Sequence, residues 1–272
     1  MRKKVQDKVV IITGASSGIG KATVEKFAEL GAKVVFCARR LDILKEMESN
    51  LNQQGANVSC IKVDVTQESQ CKSLIDFSLE KYGKIDILIN NAGISMRSAF
   101  IDVELSVMKR LMDINYWGAV YCTKYALPHI LKTRGSVVGI TSIAGFHGLP
   151  GRAGYSASKF AMHGFLETIR IEHLKSGLHV MIAAPGFTQS NIRKLALQSN
   201  GEPQGNTPLD ENKLMSAQSV AKCIAKGIIK RKRNIILSFE GKFSVLLQRI
   251  IPKSLDRIFY YVMAKEPDSP FK

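Results

Sequence analysis

"VVIITGASSGIGKA", residues 9–22, decides the fold. Val9 to Ile12 form an unbroken apolar run, as in a strand buried on both faces. Gly14, Gly18 and Gly20 follow, spaced G-x-x-x-G-x-G, and lead into a helical pattern. Glycines in that setting have a specific physical use. Missing Cβ atoms let the backbone turn sharply and approach a pyrophosphate, while the helix N-terminus offers it free N–H groups. Ser16 and Ser17 add hydroxyl donors, and Ile19 belongs to the same backbone cradle. A tight turn that binds nothing would also use glycines. The strand before and the helix after favour the dinucleotide reading.

The pattern repeats outward from this stretch. Further β-branched runs are "KVVFCA" at 33–38, "VSCIKV" at 58–63, "KIDILIN" at 84–90, "GSVVGIT" at 135–141, "LHVMIAA" at 178–184 and "NIILS" at 234–238. Between them apolar residues recur at helical spacing, for example Leu44, Met47 and Leu51. Continuous apolar strands alternating with helices predict an α/β fold, a doubly wound parallel sheet flanked by helices. No linker-like stretch splits the chain, so one domain is expected over 1–240, with 241–272 as its C-terminal helical extension. Residues 189–216 are rich in Asn, Gln, Gly and Pro and read as a long loop of the kind that forms lids.

The second strand ends "FCARR". Dinucleotide folds that select NAD place an acid there for the ribose hydroxyls. Here Ala38 stands in that position, with Arg39 and Arg40 next. An acid would repel a 2′-phosphate, whereas an arginine binds it through charge-assisted hydrogen bonds. The stretch therefore points to NADP(H), the alternative being two solvated loop charges.

Downstream, "NNAG" at 90–93, Asn115 in "MDINYWG", Ser142 in "GITSIAG", "YSASK" at 155–159 and "PG" at 185–186 follow "TGASSGIG" in order. With these motifs, residues 7–240 resemble the short-chain dehydrogenase/reductase superfamily. The resemblance implies a seven-stranded Rossmann sheet and NAD(P)(H) chemistry without a metal. It implies that Tyr155 exchanges the proton with a carbonyl or alcohol oxygen, and that Ser142 donates to that oxygen. Lys159 would bind the nicotinamide ribose, and Asn115 would hold a water linking the lysine to solvent. It also assigns Asp64 and Val65 to the adenine, Asn91, Ala92 and Gly93 to adenine and ribose, and Pro185, Gly186 and Thr188 to the carboxamide. For several of these a strand-end cap or a plain turn is the alternative. Ser17 departs from NADP-preferring relatives, which often carry a cation there.

The spacing of Tyr155 and Lys159 has its own chemistry. A free phenol titrates near ~10, and a cation one helical turn away favours the phenolate. Small residues between them, Ser156, Ala157 and Ser158, leave room for ligands beside the helix. Met96, Phe146, Leu149, Phe187 and Ile192 flank the expected site and suggest an apolar substrate. His147, His163 and His173 have no carboxylate or cysteine at ligand spacing and read as packing or surface residues, with no metal expected.

The five cysteines, odd in number and widely spaced, read as thiols in a reducing compartment. The apolar run at the start is too short for a signal segment or a span, so a cytoplasmic or peripherally attached protein is expected. The net charge is +16, and Lys222–Lys272 hold twelve Lys/Arg against four Asp/Glu, net +8. Leu246, Leu247, Ile250, Ile251, Leu255, Ile258, Phe259 and Val262 recur there at helical spacing around Pro252. Such a helix packs on its own protein or a second subunit, or lies in a membrane interface. The extension resembles that of membrane-associated relatives acting on steroid, retinoid or lipid carbonyls. No nucleic-acid reader motif accompanies the charge. By the resemblance, helices within 103–132 and from Tyr155 pair across a two-fold axis in a homodimer or homotetramer. The rival class is a non-catalytic NADP(H)-binding regulator, which would usually have lost Tyr155 or Lys159.

Overall fold

A computed structural model of the protein describes residues 1–207 and 214–271. Seven strands form one sheet: β1 Val9–Thr13, β2 Lys33–Ala38, β3 Asn57–Lys62, β4 Ile87–Asn90, β5 Ser136–Ile140, β6 His179–Ala184 and β7 Asn234–Ile236. Their order is β3-β2-β1-β4-β5-β6-β7, and every pair is parallel. The doubly wound parallel sheet expected from the apolar runs is thus observed. Crossing from β1 to β4 reverses the direction of winding, and ligands of such sheets bind outside the strand C-termini at that switch point.

Alternation along the strands explains the two cores. Val10, Ile12, Val34 and Phe36 face one layer with Val24 and Phe27, Leu44 and Met47, and Val220 and Ile224. Ile11, Val35 and Cys37 face the other with Leu74 and Ile75, Ala126 and Ile130, and Met162 and Leu166. The first layer is α2 Gly18–Glu29, α3 Leu41–Gln53 and α8 Ala217–Ile229, after a short α1 Arg2–Val5. The second is α4 Glu68–Tyr82, α6 Gly118–Lys132 and α7 Ala153–Glu172, with α5 Leu105–Met112 leading into α6. "KIDILIN" reads longer than β4, which starts at Ile87; Asp86 still bonds both neighbours, donating to Val9 O (3.0 Å) and accepting from Ser136 N–H (2.8 Å). Its carboxylate accepts from the Val9 N–H (2.9 Å) and pairs with Lys8 (2.8 Å).

The expected extension forms α9 Phe239–Ile250 and α10 Pro252–Ala264. Leu255 and Met263 are buried against the body of the protein. Of the polar segment 189–216, residues 208–213 lie outside the described residues. The part before them is docked: Leu197 N–H donates to Ser95 O (2.9 Å) and Leu197 O accepts from Arg97 N–H (2.8 Å). No helix among the described residues is long and apolar enough to cross a membrane.

Candidate active site

The glycine turn lies between the C-terminal ends of β1 and β4. Gly14 has φ +68°, and a Cβ there would come within 2.6 Å of Ala92 Cα. A Cβ on Gly20 would collide with the Gly14 carbonyl and with Asn91 Nδ2, 2.5 Å away. Only glycine fits both positions. Ser17 is the N-cap of α2, yet its side chain caps no N–H. The Ser17 side chain therefore leaves the helix's first donors uncapped, as an anion site needs. These features suit a pyrophosphate. Thr13 Oγ1 accepts from the N–H groups of Asn91 and Ala92, and Asn91 Nδ2 donates to the carbonyls of Thr13 (2.9 Å) and Gly14 (3.1 Å). The Asn91 side chain is thereby spent on holding the turn in shape, so any ligand contact from this loop falls to its backbone.

Arg39 and Arg40 are both exposed beside this turn, next to Ala38. Arg40 Nη2 donates to Ser16 Oγ (2.9 Å), bringing its guanidinium over the glycine loop. Asp64 caps its own turn, accepting from Thr66 N–H and Oγ1. The buried Val65 crowds Gly118, whose Cβ would meet it at 2.7 Å. Past β6, Pro185 is buried, and Thr188 Oγ1 donates to Gly186 O (3.1 Å). A Cβ on Gly186 would meet Ser238 Oγ at 2.7 Å, so the start of α9 abuts this loop.

Ser142, Asn115, Tyr155 and Lys159 converge from three elements, the last two sharing α7. Ser142 starts a single 3₁₀ turn after β5, where its Oγ accepts from Ala144 N–H (3.2 Å). Its hydroxyl also hydrogen-bonds the Tyr155 phenol. Asn115 lies in a π-helical turn, Asp113–Trp117, between α5 and α6. Such bulges recur at functional sites because they re-aim side chains out of the regular ladder. There Asn115 is 1% exposed; its Oδ1 accepts from Ile94 N–H (2.8 Å), and Nδ2 donates to Ile94 O (3.0 Å) and Ser158 Oγ (2.9 Å). Gly93 leaves the space between them: a Cβ on it would sit 3.2 Å from Asn115 Oδ1 and 3.3 Å from Lys159 Nζ.

Lys159 is 3% exposed, and burial pulls its ammonium down to about 8. Its Nζ lies 5.7 Å from the centre of the Tyr155 ring and donates to Ile140 O (3.0 Å). The phenol itself is pushed up: burial outweighs the Ser142 hydrogen bond and the charges of Arg152 and Arg193, all of which pull it down. This differs from the lysine-lowered phenol expected from spacing alone. The ammonium is turned to a carbonyl, and two arginines supply the favourable charge. Arg152 and Arg193 are residues that motif reading missed: Arg152 stands at the N-cap of α7, just outside the motif, and Arg193 approaches from the loop after β6. Met96, Val107, Leu111 and Leu197 form an apolar cluster against Tyr155. Phe187 is half exposed, and Phe146 packs edge-on against His163 (4.4 Å). Burial holds His163 down to about 4, with its Nε2 on Thr141 Oγ1 (2.9 Å).

Comparison with known proteins agrees with this geometry. Residues 8–200 match the family model described as short chain dehydrogenase. The chain is 34% identical to "11-beta-hydroxysteroid dehydrogenase-like 2" of Arabidopsis thaliana, over 99% of its own length and 86% of that protein. It is also 34% identical to "Dehydrogenase/reductase SDR family member 7B" of Rattus norvegicus, covering 96% of this chain and 81% of the relative. Its fold matches a Burkholderia phymatum short chain dehydrogenase/reductase solved with NAD, with a TM-score of 0.83, 23% identity and coverage of 92% and 96%. It also matches a Thermococcus sibiricus alcohol dehydrogenase solved with 5-hydroxy-NADP, with a TM-score of 0.76, 23% identity and coverage of 85% and 96%.

Proposed function

The chain belongs to the short-chain dehydrogenase family, oxidoreductases that bind a nicotinamide cofactor, and from that premise we propose an NADPH-dependent reductase of apolar carbonyl compounds, reversible as an alcohol dehydrogenase. The observation that carries the reading is the meeting of Ser142, Tyr155, Lys159 and Asn115 at the strand ends beside the glycine turn. Gly14, Ser16, Ser17, Gly18, Ile19 and Gly20 would hold the pyrophosphate, Arg39 and Arg40 the 2′-phosphate, and Asp64 and Val65 the adenine. Ala92, Gly93, Pro185, Gly186 and Thr188 would border the ribose and nicotinamide.

When bound, the cofactor supplies the hydride in reduction and accepts it in oxidation. This chain's residues manage the proton. Tyr155, held protonated by burial, gives its proton to the carbonyl oxygen. Ser142 orients that oxygen and stabilises the charge that develops on it. Lys159 places a positive charge beneath the phenol ring as the phenolate forms, and Asn115 borders the route by which the lysine is reprotonated. The apolar cluster of Met96, Val107, Leu111 and Leu197 supports an apolar substrate. The direct test is consumption of NADPH with a panel of such ketones and aldehydes.

Cofactor choice gives a separable prediction. Arg39→Ala and Arg40→Ala are each expected to weaken NADPH about ten- to a hundredfold and to leave NADH nearly unchanged, the scale of one charge-assisted hydrogen bond. Ala38→Asp should go further, repelling the phosphate and accepting from the ribose hydroxyls of NADH. Dissociation constants for both cofactors decide it. Equal wild-type affinities, or equal losses for both cofactors, would remove the NADP assignment.

Leu105, Trp117, Phe160 and Ile171 leave large apolar side chains exposed on and beside α5, α6 and α7. They support a homodimer or homotetramer through these helices. Light scattering at micromolar concentration is expected to give a dimer or larger; a monomer would reject it. On α9 and α10, Phe239, Phe243, Leu246, Ile250, Tyr261 and Val262 are each more than half exposed within a net basic segment. This supports peripheral membrane contact, which would suit the cytoplasmic location expected from the sequence. It should float with anionic vesicles and lose that binding in Phe239→Ser/Phe243→Ser/Leu246→Ser; equal flotation would argue against it.

A further inference from the structure

The C-terminal segment returns to the catalytic helix. Past α10, Glu266 is buried, 9% exposed, between two arginines that are themselves largely buried. Its Oε2 lies 3.3 Å from Arg97 Nε and 3.4 Å from Arg152 Nη2. Arg97 also donates through Nη2 to the carbonyl of Pro267. Arg97 stands on the loop after β4, and Arg152 immediately precedes α7, three residues before Tyr155. One carboxylate therefore joins three distant parts of the chain.

The surrounding contacts follow the same path. His147 stacks on Phe259 of α10 at 4.4 Å, with its Nε2 3.8 Å from Asp256. A Cβ on Gly151 would meet Pro270 at 3.2 Å, and the Gly151 carbonyl accepts from Ser98 N–H (3.0 Å). The extension is thus seated on loop 146–152, which leads directly into the turn carrying Tyr155. Two buried cations share one anion here, which leaves an uncompensated positive charge close to a phenol that must gain and lose a proton. Buried carboxylates between arginines cost desolvation, and their removal exposes the arginines to each other. A plain tether between surface segments would need no such charge.

We propose that Glu266 is a positioning residue for the reaction: from the C-terminal segment it bridges Arg97 and Arg152, fixes the guanidinium of the residue that caps the Tyr155 helix, and closes the segment over that side of the site. The proposal rests on the reading of Tyr155 as the proton carrier. The charges that bear on the phenol are Arg152 before α7, Arg193 from the loop after β6, and Lys159 on α7 itself, with the Ser142 hydroxyl opposite. Arg193 is held by the Thr188 carbonyl (2.8 Å), and Lys159 by Ile140 O. Arg152 is paired with a carboxylate from the extension, so Glu266 sets how much of the Arg152 charge reaches the phenol.

The test reads the phenol without turnover. Full-length protein labelled with ¹³C at tyrosine Cζ is titrated by NMR, and the Tyr155 signal is assigned by its loss in Tyr155→Phe. Glu266→Gln should move the Tyr155 titration to lower pH by about half a unit or more, because Arg152 then acts unopposed. Arg152→Gln should move it to higher pH. A structural role alone would not give opposite signs. Should Glu266→Gln fail to fold, Arg97→Gln/Glu266→Gln avoids facing arginines and should also move the titration down. Titrations that stay in place, or that move the same way in Glu266→Gln and Arg152→Gln, would overturn the proposal. Absence of oxidoreductase turnover would instead remove the functional reading and leave this signal readable.

Discussion

Tyr155→Phe is expected to lower kcat by about 10³-fold or more while NADPH still binds. A positioned general acid contributes about 10²–10⁴, and no second hydroxyl replaces this one. The Ser142 hydroxyl is beside it, but Ser142 also accepts from the Ala144 N–H, and an aliphatic alcohol is a much weaker acid than a phenol and so a poorer proton donor. The substitution removes one oxygen from a ring already packed against Met96, Val107 and Leu197. Stability should therefore change little. Steady-state rates with a turned-over ketone, beside NADPH dissociation constants, check both halves. Near-wild-type turnover would remove Tyr155 from the chemistry.

Lys159→Met should separate stability from activity. The ammonium falls from an ordinary 10.5 to about 8 because it is buried. The folded state then binds fewer protons than the unfolded chain between about pH 8 and 10.5, so stability rises with pH across that window. Below it the full cost of burying the charge is present, about 3 kcal/mol at ~1.36 kcal/mol per unit. Methionine removes that cost but leaves Ile140 O without its donor, which gives back about 1 kcal/mol. A net gain of about 2 kcal/mol at pH 7 is expected, a rise of several degrees in Tm, together with a kcat loss of about 10²-fold or more. The gain should shrink as pH approaches the ordinary lysine value. Thermal melts of both proteins across that range check the sign. A destabilised Lys159→Met at pH 7, or an advantage that grows with pH, would contradict the burial argument.

The sheet was legible because parallel strands are buried on both faces and so read as continuous apolar runs. β2 is found where "KVVFCA" places it, and β3 is displaced from "VSCIKV" by one residue. Gly14 and Gly20 were legible because nothing but glycine fits where their Cβ atoms would collide. Other parts of the site were not. The π turn that aims Asn115 has no residue signature, since it arises from one extra residue between two helical segments. Asn91 reads as a ligand contact in the motif, whereas the fold spends its side chain on Gly14 and Thr13. The raised phenol depends on burial, which spacing does not encode and which outweighs the opposing charges of Arg152, at the N-cap of the same helix, and Arg193, from the loop after β6. Glu266 reaches Arg152 across 114 residues, beyond any local pattern. Of the readings offered for the extension, packing on its own protein is what the structure shows, since α10 buries Leu255 and Met263; Tyr261 and Val262 stay exposed.

The measurement that bears most directly on the account is NADPH consumption by the wild-type protein with a panel of apolar ketones and aldehydes, run in parallel with NADH and with Tyr155→Phe. The account predicts carbonyl-dependent consumption of NADPH, slower turnover with NADH at equal concentration, and loss of at least about 10³-fold in the Tyr155→Phe protein. Tight NADPH binding with no carbonyl-dependent consumption across the panel, or consumption that persists unchanged in Tyr155→Phe, would contradict it.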